Sequence, residues 1–517
     1  MIEHQPDDIL STLDPAEMPL VAALLSFAHS GRQSWHMPGH LSGQAWPVWL
    51  KSELAAIDVT ELPLTDDINK PDGPAYQAML LAAASFGAGK TRFITGGSTT
   101  ALHIMLASTV GRNGRLLLPR CSHQSVVHAA ALLNLNVSWL HAGGFPEPDN
   151  MRQIPRLSLM PQVTAEDVEQ ALRQYPDYGA ILLTSPDYYG CCADLRSIAR
   201  IAHEHGILLL VDEAHGAHLA YGAGLLPESA MAAGADACVQ SGHKTLPVLT
   251  QGAYLHLSAD AIASGRLDAA CLDRMVSVFQ TSSPSFPIAA TLDYARACMD
   301  RFGKKAISRQ MAACADFADG LPPELMCQID AKATMAQADE CWGIVRDSLR
   351  LVITSRDIHA VDTIGIIAAK LSEAGIDYEF TDLTRLVFIP SLWQTGQSWQ
   401  YLLSKLVQAV KTPSQPKRSG DQIIRLEIEW RHWLQQLPQI GLLAGDALLG
   451  RHAVRCIPLT EAGGHISARA LLPYPPGIPL IWPGEIIDQN RVDFLRQLIE
   501  NKINISGIDQ ENLLVLA

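Results

Sequence analysis

The sequence predicts an α/β fold built on a mostly parallel β-sheet. Between residues 90 and 260, short apolar runs typical of strands alternate with alanine- and leucine-rich stretches typical of helices. Strands joined through helices usually run parallel and are covered by helices on their faces. We therefore expect a seven-stranded sheet, whose candidate strands are residues 92–95, 115–119, 137–141, 180–184, 207–211, 237–240 and 252–256.

Composition limits the classes of function. The chain has 517 residues, 48% of them hydrophobic, which is enough for two to four domains. A formal net charge of −14 without a basic run argues against nucleic-acid binding. The longest early apolar run, residues 20–28, is too short to cross a bilayer, and no basic segment precedes it. We expect a cytoplasmic protein with no membrane contact.

The first predicted helix and strand of the sheet region surround a segment that resembles a phosphate loop. Residues 87–91 read GAGKT, but the first glycine that such a loop requires is replaced by Ala84. The order of elements is also reversed, since a helix at 76–85 precedes the segment and a strand follows it. A helix-to-strand connection is the better interpretation, although residues 208–215 also match the magnesium-binding box of DEAH-type helicases.

The next strand ends on a glycine-rich segment, residues 95–100 (TGGSTT), which opens a helix at 99–108. Its glycines allow close approach of backbone N–H groups, and Ser98 is placed to cap the helix. The segment is therefore a candidate anion site, and its alternative interpretation is an ordinary glycine turn.

The most informative pair of residues follows two later strands. Asp212 follows the strand at 207–211, and Lys244 lies in a loop after the strand at 237–240. Pyridoxal 5'-phosphate needs a lysine to bind its aldehyde and a carboxylate to keep its pyridine nitrogen protonated. Ligands of open α/β sheets bind beyond the carboxyl ends of the strands, where both residues fall.

Histidines and cysteines give no sign of a metal. His203, His205, His215 and His218 do not have the spacing of a zinc helix, and we expect structural or cofactor-contact roles for them. The ten cysteines contain no C-x-x-C pair, so neither a disulfide framework nor a zinc ribbon is indicated.

From residue 35 to residue 485 the chain resembles the short branch of the ornithine/lysine/arginine decarboxylase family, which lacks the N-terminal wing domain of the long members. The catalytic core of this family is an aspartate-aminotransferase-type (fold type I) pyridoxal-phosphate fold. Eight motifs in order support the resemblance: residues 35–40 (WHMPGH), 58–67 (DVTE and DD), 96–99 (GGST), 123–125 (HQS), 184–190 (TSPDYYG), 212–215 (DEAH), 241–244 (SGHK) and 473–479 (PYPPGIP).

The resemblance implies a role for each matching residue. Lys244 would bind the cofactor covalently, Asp212 would pair with the pyridinium nitrogen and His123 would stack on the ring. The phosphate would be held by Ser98, Thr99, Ser241 and His243. Ala214 would pack beneath the ring. Either His243 or Lys244 would return a proton to the α-carbon. The predicted cofactor-binding set is completed by Gly97, Thr184 and His215.

The resemblance also implies an obligate dimer, or a tetramer, with shared active sites. Long members of the family place a hydroxyl from the neighbouring subunit on the phosphate, and Ser282 is the matching candidate. A polar turn at the end of a helix is the alternative interpretation of residues 280–284.

The resemblance implies decarboxylation of a basic amino acid, namely lysine, arginine or ornithine. The distal cation needs an acidic or acceptor-rich pocket, and Glu61, Asp66 and Asp67 are the candidates. Two residues depart from the family pattern: Leu41 stands where lysine is usual, and His465 where arginine is common. Two alternatives stay open, another pyridoxal-phosphate enzyme (an aminotransferase or an aldolase) and a non-catalytic regulatory relative.

Beyond the sheet region, strands at 349–354, 377–380 and 386–389 surround a helix at 363–373, and residues 300–345 are typical of helices. Proline, serine and charge make residues 411–420 a linker. The predicted division is an N-terminal helical arm (1–34), a large cofactor-binding domain (35–298), a small α/β domain (299–410), the linker and a C-terminal domain (421–517).

Overall fold

A central β-sheet is covered on both faces by helices in the computed structural model. The structure describes residues 14, 17–143, 158–174, 177–327, 345–357, 360, 363–411, 420–474 and 477–517. Within them no helix is long and apolar enough to cross a bilayer. The predicted linker lies outside the described residues except at its two ends, as do Pro475 and Pro476 of the proline-rich motif.

The central sheet contains the seven strands expected from the sequence. Its spatial order is β2-β9-β8-β7-β5-β3-β4, and every strand is parallel to the others except β9, which runs antiparallel to both of its neighbours. The prediction of a mostly parallel α/β sheet is confirmed. The strands are β2 (Lys90–Ile94), β3 (Arg115–Pro119), β4 (Asn136–Leu140), β5 (Ala180–Thr184), β7 (Leu208–Asp212), β8 (Ala237–Ser241) and β9 (Ala253–Leu257).

Alternate residues of the inner strands enter two different cores. In β7, Leu208 and Leu210 join one apolar cluster, whereas Leu209 and Val211 join the cluster on the opposite face. Strand side chains alternate between faces, so a strand that is covered on both sides must be apolar throughout. This burial explains why these strands appear in the sequence as continuous apolar runs.

The helices fill the connections and the remainder of the chain. They are α1 (Pro19–Ala28), α2 (Val48–Glu53), α3 (Pro74–Phe86), α4 (Gly97–Thr109), α5 (Gln124–Leu133), α6 (Ala165–Gln174), α7 (Leu195–Glu204), α8 (Ala230–Ala233), α9 (Gly242–Thr245), α10 (Ala259–Ala263), α11 (Ala269–Phe279), α12 (Phe286–Asp319), α13 (Thr363–Glu373), α14 (Gly396–Lys411), α15 (Gly420–Gln435), α16 (Ala444–Leu449) and α17 (Gln489–Glu500), with 3-10 turns at Leu219–Tyr221 and Leu459–Glu461.

The segment that resembled a phosphate loop joins helix α3 to strand β2. Gly87 ends α3 in the left-handed region, at φ +70°, and strand β2 begins three residues later at Lys90. A phosphate loop needs the opposite order, a strand followed by a helix. The interpretation of this segment as a helix-to-strand connection is confirmed.

Smaller sheets lie outside the central one. An antiparallel sheet of order β10-β12-β15-β14 packs with α13, and a three-stranded sheet of order β16-β20-β19 lies near the end of the chain. The remaining strands pair as β1-β13, β6-β11 and β17-β18. Their bounds are β1 (Gln33–Trp35), β6 (Cys191–Cys192), β10 (Leu325–Cys327), β11 (Val345–Arg346), β12 (Leu351–Ser355), β13 (Ile376–Tyr378), β14 (Phe380–Thr381), β15 (Arg385–Phe388), β16 (Val454–Pro458), β17 (Leu472–Pro473), β18 (Ile505–Ser506), β19 (Ile508–Asp509) and β20 (Asn512–Leu516).

The expectation of helices alone from 300 to 345 was wrong. A single helix, α12, runs for 34 residues to Asp319, and strand β10 follows at Leu325–Cys327. Leu325 is buried in the same apolar core as α12. Tertiary packing therefore determines that this segment is a strand, which the periodicity of the sequence does not show. The predicted domain boundary at residue 298 lies inside α12, and the division into domains stays a prediction.

Candidate active site

Three neighbouring parallel strands end on predicted site residues. Thr184 closes β5, Asp212 closes β7 and Ser241 closes β8. Thr184 and Asp212 are directly paired in the register of β5 and β7. The carboxyl ends of parallel strands meet at one edge of a sheet, so fold topology brings together residues that are distant in the sequence.

Lys244 lies just beyond β8, in the short helix α9 rather than in the loop expected from the sequence. Its Nζ atom is 2.9 Å from Nε2 of His215 and 5.7 Å from the centre of the Tyr188 ring. Burial, together with the charge of Arg350, lowers the pKa of Lys244 to about 8, although the charges of Asp212 and Glu379 oppose this shift. The amine is therefore easier to deprotonate than a lysine in water.

Asp212 is a buried carboxylate with little local compensation. Its side chain accepts a hydrogen bond from the backbone N–H of Ala214 at 3.2 Å, and the residue is 5% exposed. Burial raises the pKa of Asp212, although the charge of Lys244 and the Ala214 N–H group oppose the shift. A buried carboxylate of this kind is stabilised by a cationic partner.

The glycine-rich segment meets the end of β8. Ser241 donates a hydrogen bond to the Ser98 hydroxyl at 2.7 Å. Gly97 begins helix α4 with φ +82°, in the left-handed region. The expectation that Ser98 caps this helix was wrong, because Gly96 occupies the N-cap position and no side chain caps it. The two hydroxyls and the uncapped N–H groups together suit an anion, whereas Thr99 is exposed.

His123 lies at the N-cap position of α5, where its Nδ1 atom accepts from the backbone N–H of Ser125 at 3.2 Å. Burial, with the charges of Lys244 and His128, lowers the pKa of His123 to about 4, so its ring is neutral near pH 7. His123 lines a small cavity of about 30 Å³ together with Thr184, Tyr188 and Ile478. Ile478 belongs to the proline-rich motif, which therefore reaches the site.

His243 packs beside the first of the eight motifs. Its Nδ1 atom donates to the carbonyl oxygen of Gly252 at 3.3 Å, and its own carbonyl accepts from the Gly39 N–H at 2.8 Å. A Cβ atom on Gly39 would lie 2.7 Å from the carbonyl oxygen of Leu246, so this close approach requires glycine. Burial lowers the pKa of His243 to about 4.

The three acidic candidates for substrate binding are placed differently. Glu61 is exposed, and Asp67 accepts the Asn69 N–H at 2.7 Å. Asp66 is buried, and its two oxygens accept five backbone N–H groups from residues 67, 72, 73, 75 and 76. Burial alone would raise the pKa of Asp66, but these donors lower it. The structure therefore gives Asp66 a structural role at the start of α3, and the substrate role of all three stays a prediction.

Ser282 is exposed, and its neighbours Thr281 and Ser283 lie 3.3 Å apart through their hydroxyls. None of the described hydrogen bonds joins Ser282 to the Lys244 group. A role in a neighbouring subunit therefore stays a prediction.

Sequence reasoning missed three residues of the site, Glu379, Arg350 and Tyr188 as a ring contact. Glu379 lies between strands β13 and β14, and its Oε2 atom accepts the Met37 N–H at 3.1 Å. It lines an open cavity of about 450 Å³ with His36, Asp377 and Tyr474. Its charge raises the pKa of Lys244, against the effect of burial. No local motif surrounds Glu379, and only tertiary structure reveals its position.

The residues fit pyridoxal phosphate. Asp212 can meet a protonated ring nitrogen, the hydroxyls of Ser98 and Ser241 can meet a phosphate, and Lys244 can meet an aldehyde. Thr184 Oγ1 is buried beside the cavity without a hydrogen-bond partner among the described residues, which leaves a donor for a bound group. No group of three or more histidine, cysteine or acidic residues in the described part of the chain is arranged to hold a metal ion.

A seven-stranded, mostly parallel sheet with a lysine and an aspartate at adjacent strand ends defines a pyridoxal-phosphate enzyme of fold type I. The family model of the Orn/Lys/Arg decarboxylase major domain matches residues 18–350, and that of the C-terminal domain matches residues 432–512. The chain belongs to the ornithine/lysine/arginine decarboxylase family; it is an amino-acid decarboxylase, and its cofactor is pyridoxal 5'-phosphate.

Several relatives match over nearly their whole lengths. The uncharacterized protein YaaO of Bacillus subtilis is 33% identical, over 96% of this chain and 98% of its own. An arginine decarboxylase of Bacillus anthracis is 28% identical, over 98% of this chain and 97% of its own. The lysine decarboxylase LdcA of Pseudomonas aeruginosa is 24% identical, over 90% of this chain and 73% of its own.

Among solved structures, the Francisella novicida lysine decarboxylase LdcF superposes with a TM-score of 0.74 at 20% identity, over 96% of this chain and 81% of its own. This similarity supports the fold.

Proposed function

We propose that the protein decarboxylates a basic amino acid, arginine, lysine or ornithine, to the corresponding amine and carbon dioxide. The observation that supports this most directly is the Lys244 amine, with its lowered pKa, beside the buried carboxylate of Asp212 at the ends of adjacent strands. Arginine is the first substrate to test, because relatives named arginine decarboxylase match 96–97% of their own lengths.

In this proposal, Lys244 provides the amine that binds the cofactor aldehyde. Asp212 keeps a proton on the ring nitrogen, and His123 stacks on the ring as a neutral imidazole. Gly97, Ser98, Thr99, Ser241 and His243 hold the phosphate, while Thr184, Ala214 and His215 contact the ring. When bound, pyridoxal phosphate supplies an electron-poor ring that accepts the electron pair left on the α-carbon as carbon dioxide departs.

The remaining step is the return of one proton to the α-carbon. Lys244 and His243 are the candidate donors. The pKa of His243 is lowered to about 4, which leaves its imidazole mostly neutral near pH 7, whereas the pKa of Lys244 is lowered only to about 8. We favour Lys244 as the donor, since a group with a pKa near the working pH transfers protons most effectively.

Glu379 is the proposed partner of the substrate's distal cation. Its carboxylate is half-buried, faces the 450 Å³ cavity and acts on Lys244 through its charge. A charge-assisted hydrogen bond from an ammonium or guanidinium group would hold the substrate with its α-carbon towards Lys244. Asp377 lines the same cavity, but both of its oxygens accept from Arg32 Nε at 2.8 Å.

We also propose a cytoplasmic homodimer or tetramer that produces precursors of polyamines. Large apolar side chains remain exposed on the N-terminal part of a single chain, among them Leu20, Leu24, Trp49 and Leu64. Apolar exposure of this extent is typical of an interface. Ser282 would then be free to reach the phosphate site of the neighbouring subunit. The domain division at residues 34, 298, 410 and 420 is retained as part of the proposal.

The test is to incubate the purified protein and pyridoxal phosphate with arginine, lysine and ornithine separately, and to measure carbon dioxide and the amine product. We expect turnover of one of the three, with loss of at least a thousandfold in Lys244→Ala. The exposed Lys304→Ala variant, on helix α12, is the matched control and should be unaffected. Release of a keto acid without carbon dioxide, or no reaction with any of the three, would contradict the proposal.

A further inference from the structure

Beyond the proposed catalytic residues, a buried arginine contacts the partner of Lys244. Arg350 Nη2 lies 3.1 Å from Nδ1 of His215, whose Nε2 atom lies 2.9 Å from Lys244 Nζ. Arg350 is 4% exposed and His215 is 2% exposed. The three side chains therefore form a chain of contacts that runs from the Arg350 guanidinium through the His215 imidazole to the Lys244 amine.

The donor and the acceptor in each of these contacts follow from the chemistry of the groups. A guanidinium group has donors only, so Nδ1 of His215 must accept. A neutral imidazole with a free Nδ1 lone pair carries its proton on Nε2. That N–H then points at Lys244 Nζ, and only a neutral amine has a lone pair to accept it. If Lys244 were protonated, an ammonium N–H group would face the imidazole N–H group, and no hydrogen bond could form between them.

We propose that Arg350 is a positioning residue, which fixes the tautomer of His215 and thereby increases the fraction of Lys244 that is present as the free amine. The inference rests on the proposed role of Lys244. In its reaction, the amine nitrogen bonds to the aldehyde carbon and the aldehyde oxygen leaves as water with both amine protons. The condensation is balanced without any other reagent, and it requires the unprotonated amine.

The charged surroundings of Lys244 act partly with and partly against this arrangement. Asp212 and Glu379 are anions and favour the ammonium form, whereas burial and the charge of Arg350 favour the amine. Burial, together with Lys244 and Arg350, holds the pKa of His215 well below its usual range. Tyr188 packs on His215 with ring centres 4.7 Å apart. Burial, together with the charge of Lys244, lowers the pKa of both His123 and His243, so these two rings are neutral.

Arg350 also has no other role that explains its burial among the described residues. Its Nε and Nη1 atoms lack hydrogen-bond partners there. Burying a cation with unsatisfied donors is unfavourable. The structure provides the contact with His215 and the nearby charges of Asp347, Glu379 and Asp187.

The test measures how fast the full-length protein, freed of cofactor, attaches pyridoxal phosphate at Lys244 between pH 6 and pH 9. Attachment is trapped with borohydride and located by mass spectrometry. We expect the wild-type rate to follow an apparent pKa of about 8 or lower. In Arg350→Met this value should rise by roughly one unit, which slows attachment about tenfold at pH 7. Arg350→Lys should recover most of the rate, since an ammonium also only donates.

Arg491→Met is the matched control, because Arg491 is equally buried, at 4% exposed, but contacts Glu485. An unchanged pH profile in folded Arg350→Met would overturn the inference. Failure of the wild-type protein to attach pyridoxal phosphate at Lys244 would instead overturn the proposed function.

If Arg350→Met does not fold, a second measurement decides, namely hydrogen exchange at C2 of His215 in the wild-type protein. We expect His215 not to titrate between pH 5 and pH 8; a pKa near 6.5 would refute the tautomer.

Discussion

Lys244 and Asp212 are opposite charges taken out of water, and each alters the protonation of the other. Burial dominates both, since it lowers the pKa of Lys244 to about 8 and raises that of Asp212. Their mutual attraction opposes both shifts. Lys244 therefore deprotonates closer to neutral pH than a lysine in water, and it lies beside a carboxylate that a cation would stabilise. Sequence motifs identify the two residues, but only burial produces these two properties.

Glu379 gives a prediction about substrate recognition. Glu379→Gln removes the charge while keeping the shape, and we expect KM for the basic substrate to rise roughly ten- to hundredfold, since a charge-assisted hydrogen bond contributes about 1.5–3 kcal/mol. Steady-state kinetics would show a smaller change in kcat. Asp377→Asn is the control, because Asp377 lines the same cavity but is paired with Arg32. A rise of KM in Asp377→Asn alone would transfer the role to that residue.

Helix α3 shows how one side chain organises the start of an element. Asp66 has φ +72° and collects backbone N–H groups at the beginning of the helix, including those of Gly73, Ala75 and Tyr76. A carboxylate that satisfies the free donors of a first turn stabilises a helix. Adjacent acidic residues looked equivalent in the sequence, but only Asp66 is buried.

We expect Asp66→Ala to lower the free energy of unfolding by about 2–3 kcal/mol at pH 7, since a cap with charge-assisted bonds is lost. Urea denaturation followed by circular dichroism measures this, with exposed Glu61→Ala as the control. Because its donors lower the folded-state pKa of Asp66, the wild-type advantage is present above the unfolded pKa near 4 and disappears as the pH falls through the folded value. An unchanged stability with a raised KM would support the substrate role instead.

The whole chain is held together by buried ion pairs as well as by apolar cores. Arg120, just after β3, pairs with Glu485, and its guanidinium lies 4.5 Å from the centre of the Trp139 ring. Arg385 of β15 pairs with Glu427 of α15 at 2.5 Å, and Arg431 of the same helix donates to the Ser158 carbonyl at 2.9 Å. These contacts fix the C-terminal segment beside the sheet, which places Ile478 at the cavity.

The oligomeric state is the prediction that concerns the whole molecule. Light scattering should give at least twice the 56.1 kDa of one chain. Leu20→Glu combined with Leu24→Glu should weaken assembly, because burying each leucine contributes about 1.5–3 kcal/mol. Leu437→Glu, at an exposed leucine near the end of α15, is the control. A monomeric wild-type protein at micromolar concentration would contradict the proposed dimer.

The sequence by itself determined the seven strands, their mostly parallel arrangement and the class of the enzyme. It could do so because doubly covered strands must be apolar throughout, and because Lys244 and Asp212 stand in local motifs at strand ends. Tertiary structure alone decided that Ser98 contacts Ser241 rather than capping α4, and that Asp66 serves a helix. It alone brought Glu379 and Arg350 to the site. These contacts join residues far apart in the chain, and no local pattern encodes the burial and charge that they create.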